Sequence, residues 1–125
     1  MLQYFINLIK DIKDAFDNKL HCKYNIIMNK IHFEWNESKA RSNESKHHIT
    51  FTEATSVFYD ESAVEFYDDT HSEWEDRFLL LGISAKRHLL LVCHCYREEN
   101  GTIRIISARK ATKNESKHYP TGGTK

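Results

Sequence analysis

The chain is short of the residues that mark specialised scaffolds. Its 125 residues include 1 proline, 4 glycines and 3 cysteines, too little proline and glycine for a collagen-like or low-complexity chain. Three cysteines without a framework spacing exclude a disulfide-stapled domain and point to a reducing cytoplasm. No stretch approaches the ~18 apolar residues that a membrane span needs. Asn7, Asp11 and Asp14 interrupt the apolar residues of the amino terminus, so it does not read as a secretory signal. A glycine-rich phosphate loop and a Ser/His/Asp signature are both missing. What remains is 40% hydrophobic and 29% charged, the composition of one soluble domain with a modest core.

Net charge is also missing, with 18 Lys and Arg against 18 Asp and Glu. The balance hides an asymmetry: residues 1–77 carry a net −6 and residues 78–125 a net +6. Asp60 to Asp76 holds eight acids and no Lys or Arg. A basic half can meet phosphates and an acidic segment can meet a basic partner; both also read as solvated faces.

Residues 1–27 have the spacing of an amphipathic helix, with Leu2, Phe5, Ile6, Ile9, Ile12, Phe16 and Leu20 three and four apart. Ile31 to Trp35 alternates as a short strand. Asn36 then caps a helix running to about His47, with Trp35 placed to pack back on Ala40. Thr50 and Glu53 form a capping-box pair for a second short helix with Ala54, Val57 and Phe58 on its apolar face. Strands are expected at Val64–Tyr67, Phe78–Ile83 and Leu89–Tyr96, and again from Ile103. Thr112 and Glu115 make a second capping box for a short last helix ending near Tyr119, and residues 120–125 should form a loose tail.

Asn100-Gly101 is a strong hairpin signal. A two-residue loop would set Tyr96 opposite Ile105, His94 opposite Ser107 and Val92 opposite Arg109. Leu91, Cys93, Cys95, Ile106 and Ala108 would then pack under the helices. Tyr96, His94, Ser107 and Arg109 would share the working face, with Arg104 on the opposite face or the rim.

The run Ile103-Arg104-Ile105-Ile106-Ser107-Ala108-Arg109-Lys110-Ala111-Thr112 puts guanidinium groups on a rigid strand, and guanidinium matches phosphate oxygens with paired donors. A protein that cleaves RNA needs a base for the 2′-hydroxyl, cations for the phosphorane and an acid for the leaving oxygen. Lys46, His47, His71, Arg77, His94, Arg104, Arg109 and Tyr119 are the candidates. Lys39, Asn43, Lys46 and His47 share one helix face, a stripe that could equally be solvated. Cys93-His94-Cys95 is a poor zinc site, because His94 points away from the two cysteines and no second ligand pair exists. Glu73, Glu75 and Asp76 could hold magnesium, though a solvated acidic loop is the simpler reading. No cofactor is expected.

These residues resemble the BrnT family, toxins of type II toxin–antitoxin modules. The matching pieces are Phe33-Glu34-Trp35-Asn36, Lys39-Ala40 with Asn43 and Lys46-His47, Phe51 with Ala54 and Val57-Phe58, Asp68, His71, Glu75-Asp76-Arg77, Gly82, and the run Arg104 to Ala111 with Glu115 and Tyr119. They cover about residues 31–119, and the last run is the most specific. The resemblance implies an α+β fold of the RelE type: a small antiparallel sheet, two helices after the first strand and a short C-terminal helix. It implies metal-independent RNA cleavage that stops translation. Lys46, His47, His71, Arg77, His94, Arg104 and Arg109 are then the catalytic candidates, with Lys39, Lys110, Tyr96 and Tyr119 set against RNA. It also implies neutralisation by a BrnA-type antitoxin, through which alone the chain meets operon DNA. The alternative is an inactive homologue serving as a binding module and co-repressor.

Three departures stand out. Asn36 replaces the usual Asp, and both cap helices. His48 replaces the usual Gly, so the turn there is made differently or under strain. Members begin just before the Phe-Glu-Trp strand, near Met28 here, so residues 1–27 are an amphipathic extension that need not be native and 28–119 the toxin-like domain.

Overall fold

The computed structural model describes residues 32–97 and 101–120. The helix expected over 1–27, Asn100 of the expected turn, and the tail from residue 121 lie outside the described residues. The elements follow in the order β1 (His32–Glu34), α1 (Glu37–His47), α2 (Phe51–Ser56) with a 3-10 turn at Val57–Tyr59, β2 (Val64–Tyr67), a 3-10 turn at Asp69–His71, β3 (Phe78–Ile83), β4 (Leu89–Tyr96), β5 (Thr102–Lys110) and α3 (Lys113–Ser116). The five strands form one sheet in the order β1-β5-β4-β3-β2. The sheet is mostly antiparallel; only the β1–β5 pair is parallel. No helix among the described residues is long and apolar enough to cross a membrane.

The helix ends are set by side chains. Asn36 accepts from Lys39 N–H and Thr50 from Glu53 N–H, each satisfying a donor that the first helical turn leaves open. The capping box at Thr112 and Glu115 is complete. At Thr50 it is only half made. Glu53 turns away from Thr50 and accepts from Ser84 Oγ at 2.6 Å, with His88 Nδ1 at 2.7 Å. Burial acts to raise the Glu53 pKa, but the hydrogen bonds from Ser84 and His88 outweigh it and hold the carboxyl below its ordinary value.

α1 and α2 cover one face of the sheet. Ile49, Phe51, Ala54, Val57 and Phe58 meet Leu80, Leu90, Val92, Ile103, Ile105 and Ala108 in the core, and Trp35 packs edge-on against Phe51 with ring centres 5.8 Å apart. Gly82 lies under the Val57 turn, where an added Cβ would fall 2.8 Å from Val57 Cγ1 and 2.9 Å from Ala63 Cβ. The C-terminal segment lies on the other face, where Glu115 meets Arg109 and the His118 ring lies 5.9 Å from Phe66.

The hairpin register differs from the expected one. Arg97 N–H donates to the Thr102 carbonyl at 3.0 Å, so the closing pair is 97/102. Tyr96 stands opposite Ile103, Cys95 opposite Arg104 and His94 opposite Ile105; beyond a bulge, Cys93 stands opposite Ser107, Val92 opposite Ala108 and Leu91 opposite Arg109. Ile106 is the extra residue, and a bulge turns the side-chain alternation by one step. Ile103, Ile105 and Ala108 therefore all face the helices, and Arg104, Ile106, Ser107 and Arg109 all face the other way. His94, not Cys93, points under the helices, and it is 0% exposed.

β1 pairs with β5 only from Thr102 to Arg104. Further along that edge, Asn43 of α1 takes the place of a strand. Its amide oxygen accepts from Ala108 N–H at 3.0 Å, and its amide nitrogen donates to the Ala108 carbonyl at 2.8 Å and the Ile49 carbonyl at 3.0 Å. The chain between Asn43 and Ile49 turns at His48, which adopts a left-handed conformation with φ 61° and donates its N–H to the Glu44 carbonyl at 2.8 Å. The turn is the one a glycine would make, with the strain carried by histidine.

Two stability outcomes follow. Asn43→Ala strands buried backbone groups on Ala108 and Ile49 and should cost about 2–4 kcal/mol in urea unfolding. His48→Gly relieves the left-handed strain and should raise stability by about 0.5–1 kcal/mol in the same measurement.

Candidate active site on the open face of the sheet

The bulge at Ile106 puts Arg104, Ser107 and Arg109 on the face away from the helices, above a floor of Leu79, Leu91, Cys93 and Ile106. The loop 68–77 borders that face on one side and α3 on another. Between them lies a cleft of about 360 Å³ lined by Asp68, His71, Arg77, Leu79, Leu91, Cys93, Ile106, Ser107, Arg109 and Glu115. Its floor is apolar and its walls carry two guanidinium groups, an imidazole and two carboxylates.

The loop is closed at its base. Asp68 N–H donates to the Arg77 carbonyl at 2.9 Å, Arg77 N–H donates to Ser72 Oγ at 2.9 Å, and Ser72 Oγ–H donates to the Asp68 carbonyl at 2.6 Å. These bonds hold Asp68 and Arg77 side by side as the chain enters β3. The Asp68 carboxylate faces His71 Nδ1, with its oxygens at 3.1 and 3.3 Å. A carboxylate only accepts, so Nδ1 carries the hydrogen and a neutral ring keeps its lone pair on Nε2. Asp68 is buried while the His71 side chain is 64% exposed, so the ring is anchored at one end and open to solvent over most of its surface.

Each arginine of this face has a carboxylate partner. Arg109 Nη1 and Nη2 donate to the two oxygens of Glu115 at 2.8 Å each. Glu75 lies between Arg77, at 3.4 Å, and Arg104, at 3.7 Å. Arg77 Nε is the only buried side-chain nitrogen or oxygen among the described residues that lacks an acceptor in the protein. The Arg109 hydrogen bonds bring the Glu115 carboxyl down to about 2, against a smaller rise from burial and with help from Thr112 N–H. The same bonds raise Arg109 further above its ordinary value. Burial, with Asp68 nearby, pushes the Cys93 thiol up to about 11, so the floor is uncharged.

Of the residues singled out by sequence, the cleft unites His71, Arg77 and Arg109, and Glu75 links Arg104 to them. The others lie elsewhere. His94 is enclosed on the helix side, its Nδ1 3.1 Å from the Val92 carbonyl and its Nε2 3.3 Å from Tyr96 Oη. Tyr96 donates to Glu65 at 2.8 Å, and burial together with Glu65 raises its phenol pKa well above the usual value. Lys39, Lys46 and His47 are on α1, with both lysines exposed. Lys110 borders a separate hollow beside Arg87 and His88. Tyr119 donates to Asp60 Oδ2 at 2.8 Å, and burial and that bond push its phenol up to about 12. Among the described residues, no group of three or more His, Cys, Asp or Glu is placed to hold a metal ion.

Asp68 and Glu115 belong to this site but were given no role in it from the sequence; Glu75 and Cys93 were weighed only as metal ligands, and Ser107 was placed on the working face without a role. One signal was present in the sequence. Core residues at 103, 105 and 108, with polar ones at 104, 107 and 109, fit a single strand only if one residue is inserted between them.

A family model described as the ribonuclease toxin BrnT of type II toxin–antitoxin systems matches residues 35–115. Among solved structures, the Brucella abortus ribonuclease toxin BrnT is similar in fold, at 21% identity and a TM-score of 0.53, with the match covering 66% of this chain and 99% of that one. No curated protein matches the chain.

The Glu115 pair has a pH signature. Because the folded pKa is depressed, its contribution to stability is complete above the unfolded carboxyl value, about 4.3, and is lost as pH falls toward about 2. The Glu115 carboxyl carbon, followed by NMR, should titrate well below the exposed glutamates, and Arg109→Ala should return it to the ordinary range.

Proposed function

The chain belongs to the BrnT family of ribonuclease toxins of type II toxin–antitoxin systems, and from that premise we propose that the open-face cleft is a metal-independent endoribonuclease site. One observation carries the reading: a carboxylate-anchored histidine, Asp68–His71, shares a cleft with Arg77 and Arg109 above an uncharged floor. His71 Nε2 takes the proton of a 2′-hydroxyl, and O2′ attacks the adjacent phosphorus. The P–O5′ bond breaks to leave a 2′,3′-cyclic phosphate, and O5′ takes a proton from solvent. Arg77 and Arg109 face the extra negative charge of the phosphorane, and pre-oriented donors of this kind stabilise a transition state without reorganising. Arg104, held beside Arg77 through Glu75, meets the next stretch of backbone.

Cleaved messenger RNA would stop translation in the cytoplasm. A BrnA-type antitoxin would neutralise the protein by covering this face, and would be its only link to operon DNA. The apolar floor and the three arginines support such a partner, since both are surfaces that a bound protein buries well.

The test is purified protein with RNA in excess EDTA. Cleavage should persist, ending in cyclic phosphate, and should fall about 100-fold or more in His71→Ala and in Arg109→Ala. Asp68→Asn should give a smaller loss. Intact RNA, or equal cleavage by Arg109→Ala, would sink the proposal.

A further inference from the structure

A guanidinium has five N–H donors, and the structure shows how those of Arg109 are used. Nη1 and Nη2 each give one hydrogen to Glu115, at 2.8 Å. Nη1 gives its second hydrogen to the Lys110 carbonyl at 3.3 Å. Nη1 is the nitrogen on the Cδ side, so the two donors left over, Nε–H and the second Nη2–H, lie parallel on the opposite edge. That edge forms a second fork of the kind that grips two phosphate oxygens.

Glu115 is itself fixed. Its Oε1 accepts from Thr112 N–H at 2.9 Å as half of the capping box, and Thr112 Oγ accepts from Glu115 N–H at 3.1 Å. The segment beyond it is pinned by Tyr119 on Asp60 and by the His118 ring against Phe66. The backbone therefore anchors the carboxylate, and the carboxylate orients the guanidinium.

We propose that Glu115 is a positioning residue for phosphodiester cleavage: it takes up one edge of Arg109 and presents the Nε/Nη2 edge to the scissile phosphate. A carboxylate beside an anion site weakens ground-state binding by repulsion. Its benefit lies in orientation, which counts most when the phosphorane carries its extra charge. Glu115 thus trades affinity for rate, and a merely structural role would lose both together.

This inference rests on the proposed ribonuclease function, and Glu115→Gln separates the two. Glutamine preserves the capping box but offers one acceptor and no charge. The variant should keep its fold and lose about tenfold or more in kcat, while KM, and Kd for a 2′-O-methyl RNA that cannot be cleaved, stay level or fall. Glu115→Asp, a methylene too short to keep both bonds, should not restore kcat. In an Arg109→Ala background, Glu115→Gln should cost nothing further. Unchanged kcat in Glu115→Gln, weaker binding in step with kcat, or a full extra loss in the Arg109→Ala background would each overturn the proposal. If the wild-type protein leaves RNA intact, it is the ribonuclease reading that fails, and positioning is then judged on the guanidinium alone. By NMR the Arg109 Nη hydrogens should be resolved in the wild type and averaged in Glu115→Gln. Resolved signals in the variant would show that Glu115 does not hold Arg109.

Discussion

One side-chain amide, that of Asn43, joins the parts of this protein that must be kept in register. β1 is too short to cover the whole edge of β5, and an uncovered buried edge leaves backbone donors and acceptors without partners. Asn43 supplies both to Ala108 and reaches the Ile49 carbonyl as well. The helical layer, the left-handed turn at His48 and the strand carrying the arginines are thereby bound through one residue that is 7% exposed. Ala108 is two residues beyond the bulge at Ile106. The same contact that closes the edge therefore steadies the strand where its alternation shifts, and that shift places Arg104 and Arg109 on one face.

On that face, charge is arranged in pairs. Arg109 is held by Glu115, while Arg77 and Arg104 share Glu75. Partly exposed pairs of this kind add little to stability, and their value lies in geometry. A guanidinium on a long stem has many rotamers, and a fixed carboxylate selects one. His71 follows the same logic, with buried Asp68 selecting its tautomer. The surface is consequently close to neutral while presenting donors in set directions, which fits a chain of zero net charge.

The sequence was most legible where local chemistry decides structure. Asn36 capping α1, the Thr112–Glu115 box, and the strands at Val64–Tyr67, Phe78–Ile83 and Leu89–Tyr96 all lie where spacing and capping residues put them. The half-made box at Thr50 shows the limit. Glu53 has the right position for a reciprocal cap, but a distant serine and histidine outbid the local donor. β4 shows another limit. Its run Leu89 to Cys93 is apolar on both faces, so its pattern carries no direction, and the expected two-residue turn set His94 outward opposite Ser107. With Val92 and Tyr96 as hydrogen-bonding neighbours and Phe58 and Phe78 packed around it, the ring is satisfied indoors.

By itself the sequence determined the elements, their caps, the family likeness and the presence of arginines on β5, because periodicity, capping and composition act over a few residues. Which of those arginines share a face, which histidine joins them and which carboxylates hold them was decided only in the tertiary structure. A one-residue bulge inverts every side chain beyond it, and the partners of Arg109, Arg104 and His71 are chosen by how a loop and a short terminal helix close over the sheet.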